Sequence, residues 1–164
     1  MADLCSAFRE YLVSVKKASP NTVESYMRDI HQYSEYCASN GGDTETADYA
    51  LIKKYVEYLS GKGKSDATVS RTVASVRCYY RFLISKNIIE ENPVNGIKLK
   101  KAEKKLPGIL DSNEIILLLS QPDGDDYKSV RDKAMLELLY ATGIRVSELT
   151  ELTVSDVNLQ IGIL

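Results

Sequence analysis

Arg145 and Glu148 stand three residues apart in the stretch Ala141-Thr142-Gly143-Ile144-Arg145-Val146-Ser147-Glu148-Leu149, a spacing that puts both on one face of a helix. A guanidinium is always charged and offers a planar fork of donors to two oxygens of a phosphate, including one passing through a pentacovalent transition state. A carboxylate at this spacing can brace it. The two residues alone read more readily as an ordinary surface ion pair, and such pairs are common and contribute little. No nucleophile or general acid presents itself to complete a site. His31 is the only histidine and has no arginine three residues on. Tyr26, Tyr33 and Tyr80 fall on apolar helical stripes, and Tyr140 stands at a helix end expected to face a core.

A second candidate lies in residues 65–87. At 100° per residue Val69, Val73, Val76, Tyr80 and Leu83 form one apolar stripe, and Arg71, Ser75, Cys78 and Arg81 fall on the opposite side with Arg77 and Lys86 at its flanks. A basic helix face with small residues beside the arginines suits a phosphate backbone or a major groove. The charge balance sharpens this. The whole chain is net −2, but residues 61–105 carry eleven Lys or Arg against four acids, net +7, and residues 106–164 carry four against ten, net −6. Binding to nucleic acid follows local phosphate contacts and counterion release, so one basic block suffices. Charge alone leaves DNA binding and a solvated surface both open.

The elements that must position these groups are helical. Residues 4–16 repeat Leu4, Phe8, Tyr11, Leu12 and Val15 at helical spacing. Ser19 offers an N-cap with Pro20 at the first helical position, and Val23, Tyr26, Ile30, Tyr33 and Cys37 continue to a stop at Asn40-Gly41-Gly42. A third helix over residues 47–60 buries Ile52, Val56 and Leu59, and the basic helix is the fourth. Residues 95–108 are lysine-rich, contain Gly and Pro, and show no periodicity, so they read as a linker in which Lys98, Lys100 and Lys101 follow a DNA backbone or form a mobile tether. Beyond it, Asp111 or Ser112 caps a short apolar helix. A helix over residues 127–140 turns Val130, Ala134, Met135, Leu138 and Leu139 to a core, residues 146–149 form a helical turn or two, and residues 157–164 read as a first strand.

These stretches, in this order, resemble the tyrosine site-specific recombinases, the Xer-like and phage-integrase family. The resemblance rests on Ala141 to Leu149 with Arg131-Asp132-Lys133-Ala134-Met135 before it, and on Ser19-Pro20-Asn21-Thr22 with Tyr26, Arg28 and Asp29. It also rests on Ser70-Arg71 with Val76 to Leu83, and on Asn92-Pro93 and Lys105-Leu106-Pro107. It implies a mainly α chain: a four-helix SAM-like core-binding domain over residues 1–91, a basic linker over 92–108, and over 109–164 the opening of a truncated α+β catalytic domain. It implies Arg145 as phosphate clamp, Glu148 as its support, and Asn21, Thr22, Arg28, Arg71, Ser75, Arg77, Arg81, Lys98, Lys100 and Lys101 as DNA contacts. The implied partners are double-stranded DNA and other recombinase protomers, which form a tetramer in the family. The implied chemistry is site-specific recombination and integration through a 3′-phosphotyrosine bond, with no metal and no cofactor. The family's later lysine, its His-x-x-Arg pair and its tyrosine nucleophile have no counterpart here, so this chain alone is expected to be inactive in strand transfer.

Three cysteines at 5, 37 and 78 have no metal-ligand spacing and fit a reducing cytoplasm. No apolar run approaches the roughly eighteen residues of a membrane span. The alternative function is a non-catalytic helical module that binds or inhibits recombinase protomers. It gains weight from Ile115, Leu118, Met135, Leu138 and Leu139, whose apolar faces lack the elements expected to cover them.

Overall fold

A computed structural model describes residues 2–100, 108–158 and 160–162, which divide into two compact units, Met1–Lys104 and Lys105–Leu164. The first unit contains α1 (Ala2–Ser14), α2 (Pro20–Ser39), α3 (Tyr49–Gly61) and α4 (Asp66–Ser85). The second contains α5 (Ser112–Leu119), α6 (Tyr127–Thr142), α7 (Val146–Glu151) and a 3-10 turn at Val154–Asp156.

Short polar side chains start these helices where the periodicity places them. Ser19 accepts from the Thr22 amide at 3.4 Å with Pro20 as the first helical residue, Asp48 accepts from Leu51 at 2.8 Å, and Ser65 accepts from Thr68 at 3.2 Å. Each supplies an acceptor to an amide that the helix cannot satisfy itself. α1 ends sooner than the apolar spacing suggests. Lys17 takes a left-handed φ of 49°, the chain reverses, and Val15 is left 65% exposed rather than in the core.

α4 packs against α1, α2 and α3, which makes it the centre of the first unit. A helix covered from three sides buries more than one stripe. Val69, Val73, Val76, Tyr80 and Leu83 are buried as the spacing requires, and so are Thr72, Ser75, Tyr79 and Phe82. Facing them are Phe8 and Leu12 of α1, Val23, Ile30, Tyr33 and Cys37 of α2, and Ile52, Tyr55 and Leu59 of α3. Val56 is only partly buried, and Tyr55 takes the interior place.

The front of the lysine-rich segment is not a free tether. Val94 is fully buried, Ile97 and Leu99 lie against the same core, and Asn92 ties the turn down by accepting from the Val94 amide at 3.0 Å and donating to the Arg77 carbonyl at 3.3 Å. Residues 101–107, Lys101 among them, lie outside the described residues.

In the second unit Asp111 and Glu114 form a reciprocal capping box on α5, and Asp126 accepts from the Lys128 and Ser129 amides at the start of α6. Leu149 is the only buried hydrophobic among its described residues. Val130 and Tyr140, expected to face a core, are 58% and 63% exposed, and Ile116 and Leu117 are exposed as well. The strand expected over residues 157–164 is absent among the described residues, of which 159, 163 and 164 are not part. No described helix is long and apolar enough to cross a membrane.

Candidate nucleic-acid interface

The end of α1, the start of α2 and the outward face of α4 enclose a groove of about 360 Å³, lined by Leu12, Lys16, Ala18, Thr22, Tyr26, Ala74, Arg77, Cys78 and Arg81. Its three ionised groups, Lys16, Arg77 and Arg81, are all cations, and no acid lines it. Three like charges around one groove attract an anion whose own charges repeat, as phosphates do along a strand. Burial pushes the Cys78 thiol up, and Lys16 and Arg81 pull it partly back.

The fold brings together Thr22, Arg77 and Arg81, which come from two helices far apart in sequence. It adds Lys16, which the apolar spacing of α1 absorbs into a helix but which the reversal at Lys17 delivers to the groove. The signal for it was the Lys16-Lys17 pair, one residue short of the Ser19 cap. Asn21 and Arg28 are exposed on α2 but do not line this groove.

Ser75 corrects the expected outward face. It is fully buried and donates to the Asp29 carboxylate at 2.6 Å. The exposed face of α4 is rotated from the Arg71–Ser75–Cys78–Arg81 line toward Ala74, Arg77 and Arg81, because α2 covers the side on which Ser75 stands. Arg71, one helical turn before Ala74 and not part of the groove lining, is ion-paired with Asp29 at 2.6 Å and half exposed.

Lys98 and Lys100 line a second groove of about 650 Å³ with Lys53 between α3, the start of α4 and residues 96–100. It is the larger of the two, yet Glu57 and Asp66 share it and offset its cations. For an anionic backbone the smaller groove is the stronger candidate, on the sign of its charges.

In the second unit Arg145 occupies the N-cap of α7. Its backbone amide donates to Glu148 Oε2 at 2.7 Å and its Nη1 donates to Oε1 at 2.9 Å. One carboxylate therefore holds both the main chain and the guanidinium of the same residue. The Arg145 amide, and then its side chain, keep the Glu148 carboxyl below the usual carboxylate range. The turn that delivers Arg145 is built from Gly143, left-handed at φ +67°, and from Thr142, whose hydroxyl accepts from the Ile144 amide at 3.3 Å. The guanidinium side chain is 81% exposed, so most of its donors face solvent. Among the described residues no group of His, Cys, Asp and Glu has a metal-holding arrangement.

Residues 6–87 match the family described as "Phage integrase, N-terminal SAM-like domain", and residues 109–164 match that described as "Phage integrase family". A putative tyrosine recombinase of Caldanaerobacter subterraneus subsp. tengcongensis is 43% identical over 155 residues, which are 94% of this chain and 53% of that protein. The tyrosine recombinase XerD of Halalkalibacterium halodurans is 39% identical over 88% of this chain and 49% of its own length. The chain thus spans about half the length of these relatives. In fold it is similar to the Tn1549 transposon integrase in complex with circular intermediate DNA, with TM-score 0.68 and 20% identity over 96% of this chain and 51% of that one. It is also similar to the integrase from mycobacterium phage Brujita, with TM-score 0.54 and 22% identity over 96% of this chain and 51% of that one.

Proposed function

Because the chain belongs to the phage integrase family of tyrosine recombinases, we propose that it binds duplex DNA through the α1–α2–α4 groove of its first unit and presents Arg145 of its second to a backbone phosphate. The observation that carries this reading is the groove whose ionised lining groups, Lys16, Arg77 and Arg81, are all positive. Thr22 adds a hydroxyl at the same place, and Ala74 leaves room for a close approach. Lys98, Lys100, Asn21 and Arg28 are exposed cations and donors outside the groove that add to the backbone attraction.

The role of Arg145 follows from its chemistry. Its fork can donate to two non-bridging oxygens of one phosphate, and Glu148 fixes the main chain and guanidinium together. In the reaction this supports, a tyrosine oxygen forms a bond to phosphorus at the 3′ side while the bond to the 5′ oxygen breaks and that oxygen leaves as a hydroxyl. Arg145 stabilises the charge that develops on the phosphate as these bonds exchange. Tyr33, Tyr55, Tyr79 and Tyr80 are sealed in the first core and cannot supply that oxygen, and we assign the nucleophile to none of the other tyrosines. The DNA-binding reading places the chain in the cytoplasm with its substrate.

A second reading, association with recombinase protomers, is supported by the exposure of Ile116, Leu117 and Val130. Salt separates the two. Fluorescence anisotropy on a labelled duplex across a salt series should show binding that weakens steeply with salt, and Lys16→Ala with Arg77→Ala and Arg81→Ala should lower the slope by about 0.9 for each phosphate no longer neutralised. Absence of salt-dependent binding by the wild-type chain would sink the DNA reading, and self-association insensitive to salt would favour the second.

A further inference from the structure

Asp29 is 4% exposed in α2, yet three side chains of α4 reach it. Arg71 donates from Nη1 to Oδ2 at 2.6 Å and from Nη2 to Oδ1 at 3.1 Å, Ser75 donates from Oγ to Oδ2 at 2.6 Å, and Thr72 donates from Oγ1 to Oδ1 at 3.5 Å. An ionised carboxylate has about four acceptor positions, so these bonds leave it no freedom to turn. The Arg71 side chain is 48% exposed. The pair therefore has an inner edge sealed between two helices and an outer edge in water.

A guanidinium has five N–H donors. The end-on bond to Asp29 uses one on each terminal nitrogen, which leaves the Nε donor and the outer donor of each terminal nitrogen for a ligand. Tyr26 and Ala74 line the cationic groove; Asp29 follows Tyr26 by one turn of α2, and Arg71 precedes Ala74 by one turn of α4. The pair thus continues the rim of that groove.

We propose that Asp29 is a positioning residue for DNA, holding Arg71 at the groove's rim so that the outer edge of its guanidinium donates to a backbone phosphate. The proposal rests on the DNA-binding reading. Its physical content is preorganisation: a long side chain that is already fixed loses less freedom when it meets its ligand than a mobile one does.

The sign of one substitution tests it. On charge alone, Asp29→Asn removes a negative group beside a phosphate site and should tighten binding. If Asp29 acts by holding Arg71, Asp29→Asn weakens binding by about three- to tenfold, the cost of ordering one freed side chain, despite the added positive charge. Affinity for a random-sequence duplex is measured at low salt for the full chain, with circular-dichroism melts in the same buffer to show that each variant is folded. Unchanged or tighter binding by folded Asp29→Asn overturns the proposal. Should Asp29→Asn not fold, Arg71→Lys decides: it keeps the charge and a single bond to Asp29 but lacks the fork. A similar loss supports the proposal, and wild-type affinity overturns it. A wild-type chain that does not bind overturns both readings, whereas wild-type binding with intact affinity in the variants overturns only the positioning role.

Discussion

The phenolic oxygens of Tyr33 in α2 and Tyr80 in α4 lie 2.7 Å apart in the core of the first unit, both residues at 0% exposure. Each gives the other a hydrogen-bond partner inside a desolvated core. They are not equivalent, because Tyr33 also has a side-chain hydrogen bond with Cys37. Tyr33→Phe should therefore cost about 1–3 kcal/mol by orphaning the Tyr80 hydroxyl, and Tyr80→Phe closer to about 1 kcal/mol. Chemical denaturation checks this, and the double variant should be less destabilised than the sum of the two singles.

High pH should unfold the first unit. Burial, ahead of every other cause, raises Tyr33, Tyr55 and Tyr80 above their ordinary value of 10.0. A raised folded value means stability that is fully present below the unfolded value and lost as pH rises beyond it, since the unfolded phenols ionise freely. The last part of the tyrosinate absorbance to appear above pH 10.0 should coincide with loss of helical circular dichroism, because Tyr33, Tyr55 and Tyr80 are held neutral by the folded core. Complete ionisation of all eleven tyrosines in a chain that is still fully helical would contradict the burial argument.

Cys78 reports on the groove. Its thiol is partly buried between Lys16 and Arg81, whereas Cys37 is buried in the core. Bound duplex DNA should slow alkylation of Cys78, read by mass mapping of the modified peptide, and Cys37 should stay unmodified with or without DNA. Equal Cys78 labelling in both conditions would place the DNA elsewhere.

Gly143 ends α6 in a left-handed conformation with φ +67° and open space where a Cβ would stand. Gly143→Ala meets no clash and costs only backbone strain, about 1–2 kcal/mol. Faster amide exchange in the last turn of α6 is the expected outcome, with Gly143→Asn milder because Asn tolerates this region better.

Acid should loosen the Arg145 cap. The Glu148 carboxyl is held below its ordinary 4.5, mainly by the Arg145 amide and then by the guanidinium. A depressed folded value means a contribution present above the unfolded value and lost as pH falls through the folded one. The Arg145 amide resonance should move as pH drops below 4.5, and Glu148→Gln should abolish that movement.

The helices of the first unit were legible because their signals are local. The Ser19-Pro20 cap, the Ser65 cap and the apolar spacing of α2 and α4 act within a turn or two of chain, and the resemblance to the recombinases rests on such short stretches. The Arg145–Glu148 bracket was legible for the same reason, both bonds lying within one turn of α7.

What chain-local signals could not decide is how many sides of a helix are covered. Ser75 reads as a small residue on a basic face until α2 arrives with Asp29, after which it is a buried donor, and Arg71 changes from a free cation to half of an ion pair. Val94, Ile97 and Leu99 carry no periodicity, so only the core they meet distinguishes a packed segment from a tether. Lys16 reaches the groove through one left-handed residue, and Val130 and Tyr140 have an apolar character that does not by itself bury them. Hydrophobic spacing determined which face of each helix seeks a partner. Where partners stand, and therefore which cations converge, was decided by packing between residues far apart in the chain, Tyr33 against Tyr80 and Phe8 against Phe82 among them.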